Sequence, residues 1–209
     1  MSLVNDKNTL AYVIGVAVGD GNLSNPNGRA VRLRVTCDTK YELIIRRIRS
    51  SIQKLFPSNK VSTVKRPDNC IDISCYSNKW EGILSWKAGL GSKYDQNARI
   101  PKWIVSEKQY MKHCLRGLFE TDGSIYKDRN YVMVNFVTII QVLAEDVMYM
   151  IEELGFKPNL QILKPNKNNP NSKTKYTIRI SRDSQKFIKN INLQKKKIFY
   201  KLDKISQKD

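Results

Sequence analysis

In AVRLRVT, Val31, Leu33 and Val35 alternate with Arg32 and Arg34; in KYTIRIS, Tyr176, Ile178 and Ile180 alternate with Lys175, Thr177 and Arg179. A period of two sends alternate side chains to opposite faces, so each segment predicts a strand with one core face and one basic face. VIGVAVGDG (13–21) and LRGLFETDG (115–123) are instead apolar runs of helical type, each closing on a small residue, an Asp and a Gly. Glycine suits the left-handed position that ends many helices, so Gly21 and Gly123 predict helix ends with Asp20 and Asp122 at the C-termini. Ser106 with Gln109 predicts a capping-box start for the second of these helices, and Pro101 the break before it.

The two helical segments stand 102 residues apart in a chain of 209, which marks a duplicated half. The repeat continues beyond them. Ile52 and Leu55, at the end of an apolar helix, recur as Ile151 and Leu154, an offset of 99; Ile71, Ile73, Ser74, Ser77 and Lys79 recur as Ile178, Ile180, Ser181, Ser184 and Lys186, an offset of 107. The eight additional residues fall in 164–175, KPNKNNPNSKTK, whose Asn, Pro and Lys content predicts a long hairpin loop without a core of its own. Each half therefore reads as helix, two strands, helix, two strands and a further helix, with a boundary near 103 separating residues 1–103 from 104–209.

An Asp at a helix C-terminus opposes the macrodipole and costs a few tenths to about 1 kcal/mol, so something cationic should compensate it. Gly15 and Gly19 stand four apart, as do Gly117 and Thr121, and each pair lines one helix face where small side chains admit another backbone. Packing those faces together brings Asp20 and Asp122 side by side. Two carboxylates at two negative helix ends suit a hard divalent cation such as Mg²⁺.

Charge adds a partner. The chain has 37 basic and 19 acidic residues, net +18, and each half carries +9 (17 − 8 to residue 104, 20 − 11 after it). An evenly basic, pseudo-symmetric protein suits two half-sites of one duplex better than a single charged tail does.

These motifs resemble those of the LAGLIDADG homing endonucleases in their single-chain, two-motif form. LRGLFETDG is a close match; VIGVAVGDG is looser, with Val18 at the sixth-position acid, yet keeps the middle Gly and the final Asp-Gly. The resemblance implies an α+β fold of two αββαββα halves packed through the motif helices, each with a curved antiparallel sheet facing DNA. It implies site-specific hydrolysis of both strands of a long duplex target across the minor groove, leaving short 3′ overhangs. Asp20 and Asp122, with Gly19 and Thr121, would hold Mg²⁺; Mn²⁺ would substitute, and Ca²⁺ would support binding without cleavage. A basic residue from each half is expected near the metals, and Lys93 and Lys195 occupy the place after the last strand-helix unit of each half. DNA contacts are expected from Asn22, Ser24, Arg29, Arg32, Arg34, Lys65 and Arg66, and from Ser124, Tyr126, Lys127, Asn135, Lys175, Thr177 and Arg179. Where the family carries polar residues that organise water, this chain has Cys37 and Ile139.

Other chemistries fit less well. Cys37, Cys70, Cys75 and Cys114 lack paired CxxC spacing and read as reduced thiols; His113 is the only histidine, which excludes nucleases built on several. Asp68 and Asp72 have no Lys at the spacing of a restriction-type core. Two alternatives remain: a maturase that assists intron RNA folding, and a non-cleaving DNA-binding regulator on the same scaffold. No apolar stretch approaches the roughly 18 residues a membrane span needs, and MSLVNDKNTLAY has no secretory or transit pattern, so an intracellular protein is expected, without a membrane partner. A monomer is expected, since the duplication already supplies two-fold symmetry.

Overall fold

The computed structural model describes residues 6–165 and 172–195. Its elements run α1 (Lys7–Asp20), β1 (Gly21–Ser24), β2 (Arg32–Asp38), α2 (Glu42–Leu55), β3 (Val61–Lys65), β4 (Cys70–Tyr76) and α3 (Trp80–Ile83). They continue with α4 (Lys102–Val105), α5 (Lys108–Thr121), β5 (Gly123–Asp128), β6 (Tyr131–Thr138), α6 (Gln141–Glu153), β7 (Asn159–Leu163), β8 (Lys175–Ile180) and α7 (Ser184–Asn190). The result is an α+β fold with two antiparallel four-stranded sheets, ordered β1-β2-β4-β3 and β5-β6-β8-β7. No helix among the described residues is long and apolar enough to cross a membrane.

At the centre α1 packs along α5. From Ala11 to Gly19 every residue of α1 is buried, because the helix meets α5 on one side and α2 and β2 on others. α2 is amphipathic instead, turning Ile44, Ile45, Ile48, Ile52 and Leu55 inward and its arginines largely outward. The apolar faces of both sheets join one continuous core that runs through the α1–α5 contact, with Leu33, Val35, Ile73 and Cys75 from one sheet and Val134, Phe136, Ile178 and Ile180 from the other.

Side-chain size sets how close the central helices come. A Cβ on Gly15 would run into the Cys114 carbonyl oxygen, and one on Gly117 into the Tyr12 carbonyl oxygen and to within 2.7 Å of the Val16 nitrogen. Gly19 faces Thr121 in the same way, its Cβ position lying 3.4 Å from Asp122 Oδ2.

Three expectations change. Gly21 is extended (φ −75°, ψ 147°) rather than left-handed, and it and Gly123 are required because a Cβ would strike the preceding turns at Ala17 and Phe119. Glu107, not Ser106, flanks the start of α5, and it makes no side-chain cap; the Ser106 hydroxyl donates to the Trp103 carbonyl at 3.0 Å and closes α4. The strand repeat runs at 105, not 107: Gly21 pairs Val35 and Val35 pairs Ile73, while Gly123 pairs Phe136 and Phe136 pairs Ile178. A two-residue slip keeps every side chain on its face, so alternation cannot detect it. Residues 166–171 of the expected hairpin loop lie outside the described residues, as do Lys196 and Lys197.

Candidate functional site

Asp20 ends α1 and Asp122 follows the last residue of α5, so the close approach of Gly19 to Thr121 brings the two carboxylates together. Burial raises the pKa of both. Asp122 is pushed up to about 6, first by loss of solvent and then by the charge on Asp20, to which its protonated form donates a hydrogen bond.

Each helix end also receives a buried ammonium. Lys93 Nζ donates to the carbonyls of Gly19, Val18 (2.6 Å) and Ala17 (3.5 Å); Lys195 Nζ donates to those of Thr121 (2.9 Å) and Gly123. These contacts supply the cationic compensation that an acid at a helix C-terminus needs. Burial lowers both lysine pKa values, against the pull of Asp20 and Asp122. The Gly19 and Thr121 carbonyls expected on a metal accept from these lysines, and the two carboxylates beside them are the anionic oxygen donors for a cation. Two adjacent carboxylates that resist joint ionisation fit a hard divalent ion. Among the described residues no cluster of three or more His, Cys, Asp or Glu is gathered for a metal.

Beside Asp122 and Lys93 opens a cavity of about 510 Å³ lined also by Gly19, Thr138, Ile139 and Lys175. The strand register makes Thr138, not Ile139, the counterpart of Cys37, since Val35 answers to Phe136. A hydroxyl therefore lines the cavity on the side of the second half. At the matching place in the first half, burial and then Asp20 push the Cys37 thiol up to about 12.

The polar faces of the sheets carry most of the residues expected to meet DNA. Asn22, Ser24, Arg32 and Arg34 share one outward face, and Ser124, Tyr126, Asn135, Lys175, Thr177 and Arg179 the other, although Asn135 is buried there and donates to Tyr126 Oη at 3.1 Å instead of standing free for DNA. Arg29 is exposed in the β1–β2 loop, and Arg66 follows β3 with its guanidinium 3.8 Å from Asp72. Lys65 and Lys127 do not belong to these faces: they pair with Ile71 and Val132 and have the inward parity, exposed only because β3 and β5 are edge strands. Thr36, Asp72 and Gln161 stand on the outward faces and were missed; Thr36 was legible in the alternation of β2.

Residues 109–192 match the LAGLIDADG-like domain family, and residues 9–71 match the WhiA LAGLIDADG-like domain family. The chain has the LAGLIDADG two-motif fold. It superposes on the homing endonuclease I-DmoI in complex with DNA and Mn with a TM-score of 0.63 at 20% identity, covering 90% of this chain and 97% of that one. Full-length DUF199/WhiA from Thermatoga maritima gives 0.64 at 14% identity, covering 99% of this chain and 62% of that one. Among curated proteins, the tRNA-splicing ligases RtcB of Methanopyrus kandleri (26% identical) and Methanocaldococcus jannaschii (28%) match 77% and 69% of this chain. The chain spans only 18% and 17% of those ligases.

Around this LAGLIDADG centre lie two anchors that sequence patterns did not single out. Glu120, the sixth-position acid of the second motif, is fully buried and accepts from Tyr12 Oη (2.8 Å), Arg116 Nε (3.2 Å) and Arg47 Nη1. Arg47 Nη2 also donates to Gln194 Oε1 at 2.7 Å. Asp146, buried on α6, accepts from Arg99 Nη2 (2.7 Å) and the Ile100 amide (2.8 Å). A charged residue on the inner side of an otherwise amphipathic helix was the one available signal.

Proposed function

We propose that the protein is a site-specific endonuclease that hydrolyses both strands of a long DNA duplex. The observation that carries this reading is the meeting of Asp20 and Asp122 at paired helix ends with a buried ammonium against each. Asp20 and Asp122 would hold a divalent cation, Mg²⁺ or Mn²⁺; when bound, it would polarise the scissile phosphate and lower the pKa of an attacking water. Lys93 and Lys195 place positive charge where the phosphate gains negative charge, in a site walled by Val18 and Ile139. The outward sheet faces, with Arg32, Arg34, Lys175 and Arg179, would lie in the major groove of the two half-sites and position the backbone over the aspartates. Both motif helices belong to one chain, so the working species is a monomer.

A DNA-binding regulator is the second reading, favoured by the WhiA-family match of the first half and by Val18 in place of an acid in its motif. Selection of cleaved molecules from a randomised duplex library separates the two. Cleavage at one long site that requires Mg²⁺ and is lost in Asp20→Asn, with binding but no cutting in Ca²⁺, supports the endonuclease. Tight binding to a recovered site without cutting in any divalent ion would replace it with the regulator.

A further inference from the structure

We infer that Arg47 and Asp146 are paired positioning residues, one in each half, that hold the two lysine arms in place independently, so that each governs cutting of one DNA strand. The inference rests on the nuclease reading above and assigns roles to residues outside the metal site.

Arg47 and Asp146 occupy equivalent places. Ile48 and Ile52 of α2 answer to Val147 and Ile151 of α6, an offset of 99 that carries position 47 to 146. From these places each side chain reaches across to a segment of the other half. Arg47, in the first half, holds Gln194, which adjoins Lys195 in the second. Asp146, in the second half, holds Arg99 and the Ile100 amide, at the end of the first half's arm. That arm is tied back to the lysine itself, since the Ala98 amide donates to the Lys93 carbonyl at 2.9 Å. Each anchor is therefore one residue or one hydrogen-bonded turn away from an ammonium seated on a motif-helix end.

The geometry is symmetric but the chemistry is reversed. The cation Arg47 is neutralised by Glu120, an acid without a counterpart in the first motif, where Val18 stands 102 residues earlier. The anion Asp146 is neutralised by Arg99, which belongs to the arm being held. Fixing a long lysine side chain costs rotamer freedom, and tying the adjoining segment to Arg47 or to the buried Asp146 removes part of that freedom before substrate binds. Because the anchors share no residue, loss of one leaves the other lysine placed.

The test is strand-resolved cleavage of the selected target, with a different fluorophore on each strand. Gln194→Leu removes the link to Arg47 while Arg47 keeps Glu120; Arg99→Met removes the ion pair while Asp146 keeps the Ile100 amide. The expected result is that each variant slows one strand on the order of tenfold, that the affected strand differs between them, and that duplex affinity is unchanged. Gln194→Glu, which retains an acceptor for Arg47, restores the wild-type rate. Equal slowing of both strands by each variant, or no slowing, overturns the inference. Thermal melts identify a variant that has lost its fold, and a DNA-free readout stands beside cleavage: acetic anhydride labelling followed by peptide mass spectrometry. Gln194→Leu should raise labelling of Lys195 alone, and Arg99→Met that of Lys93 alone. A wild type that cuts no DNA sinks the nuclease reading, and labelling then decides the anchors; unchanged labelling in both variants refutes them.

Discussion

At the residue scale the governing fact is that two carboxylates share a buried site. Asp122 is raised from 3.8 to about 6, so the folded protein binds its proton more tightly than the unfolded chain does. The sign follows: without metal, this group lowers stability as pH rises from about 4 to 6, and the deficit is complete above that window. Asp122→Asn should therefore stabilise the metal-free protein at pH 8 by on the order of 2 kcal/mol, and the gain should vanish by pH 4. Urea unfolding at the two pH values measures it. The same variant should abolish cleavage with duplex binding retained, as gel shift in Ca²⁺ would report; parallel loss of fold would make Asp122 structural. Glu120 is an acid whose loss, not its retention, should destabilise the fold. Its carboxylate is fully buried between Arg47 and Arg116, so Glu120→Leu strands two cations and should cost about 3–5 kcal/mol in the same unfolding assay.

At the element scale the α1–α5 contact decides the site, since the separation of the helices sets the separation of the aspartates. Gly117→Ala places a Cβ against backbone atoms of α1 at Tyr12 and Val16, which no rotamer change relieves. We expect a loss of about 3 kcal/mol or more in denaturant melts, together with weaker metal dependence. Gly82→Ala, with no atom within 4 Å of the new Cβ, is the control and should be neutral or slightly stabilising. The four-residue glycine spacing made this helix pairing legible in the sequence. The helix starts were not: Ser106 and Gln109 look like a capping box, but Ser106 closes a short helix that an isolated KWIV segment does not announce.

At the scale of the molecule, a net charge of +18 divided equally between two sheet-bearing halves predicts strongly salt-dependent duplex binding. If the two faces neutralise six to ten phosphates, affinity should fall by about 10³- to 10⁵-fold between 50 and 200 mM salt. A shallow dependence in a binding titration would count against the sheet faces as the DNA surface.

The duplication, the alternating strands, the glycine-lined helices and the two aspartates are local or periodic features, and the sequence by itself determined them. The tail position of Lys93 and Lys195 was visible too, but only tertiary structure put their ammoniums on the helix ends, 74 residues back along the chain in each case. Sheet register also waited for the fold, because a two-residue slip leaves a period of two unchanged. The anchors were least visible of all. The 99-residue repeat aligns Arg47 with Asp146, but Arg47 meets Gln194 across 147 residues and Asp146 meets Arg99 across 47, contacts that side chains of opposite charge at matched positions do not announce.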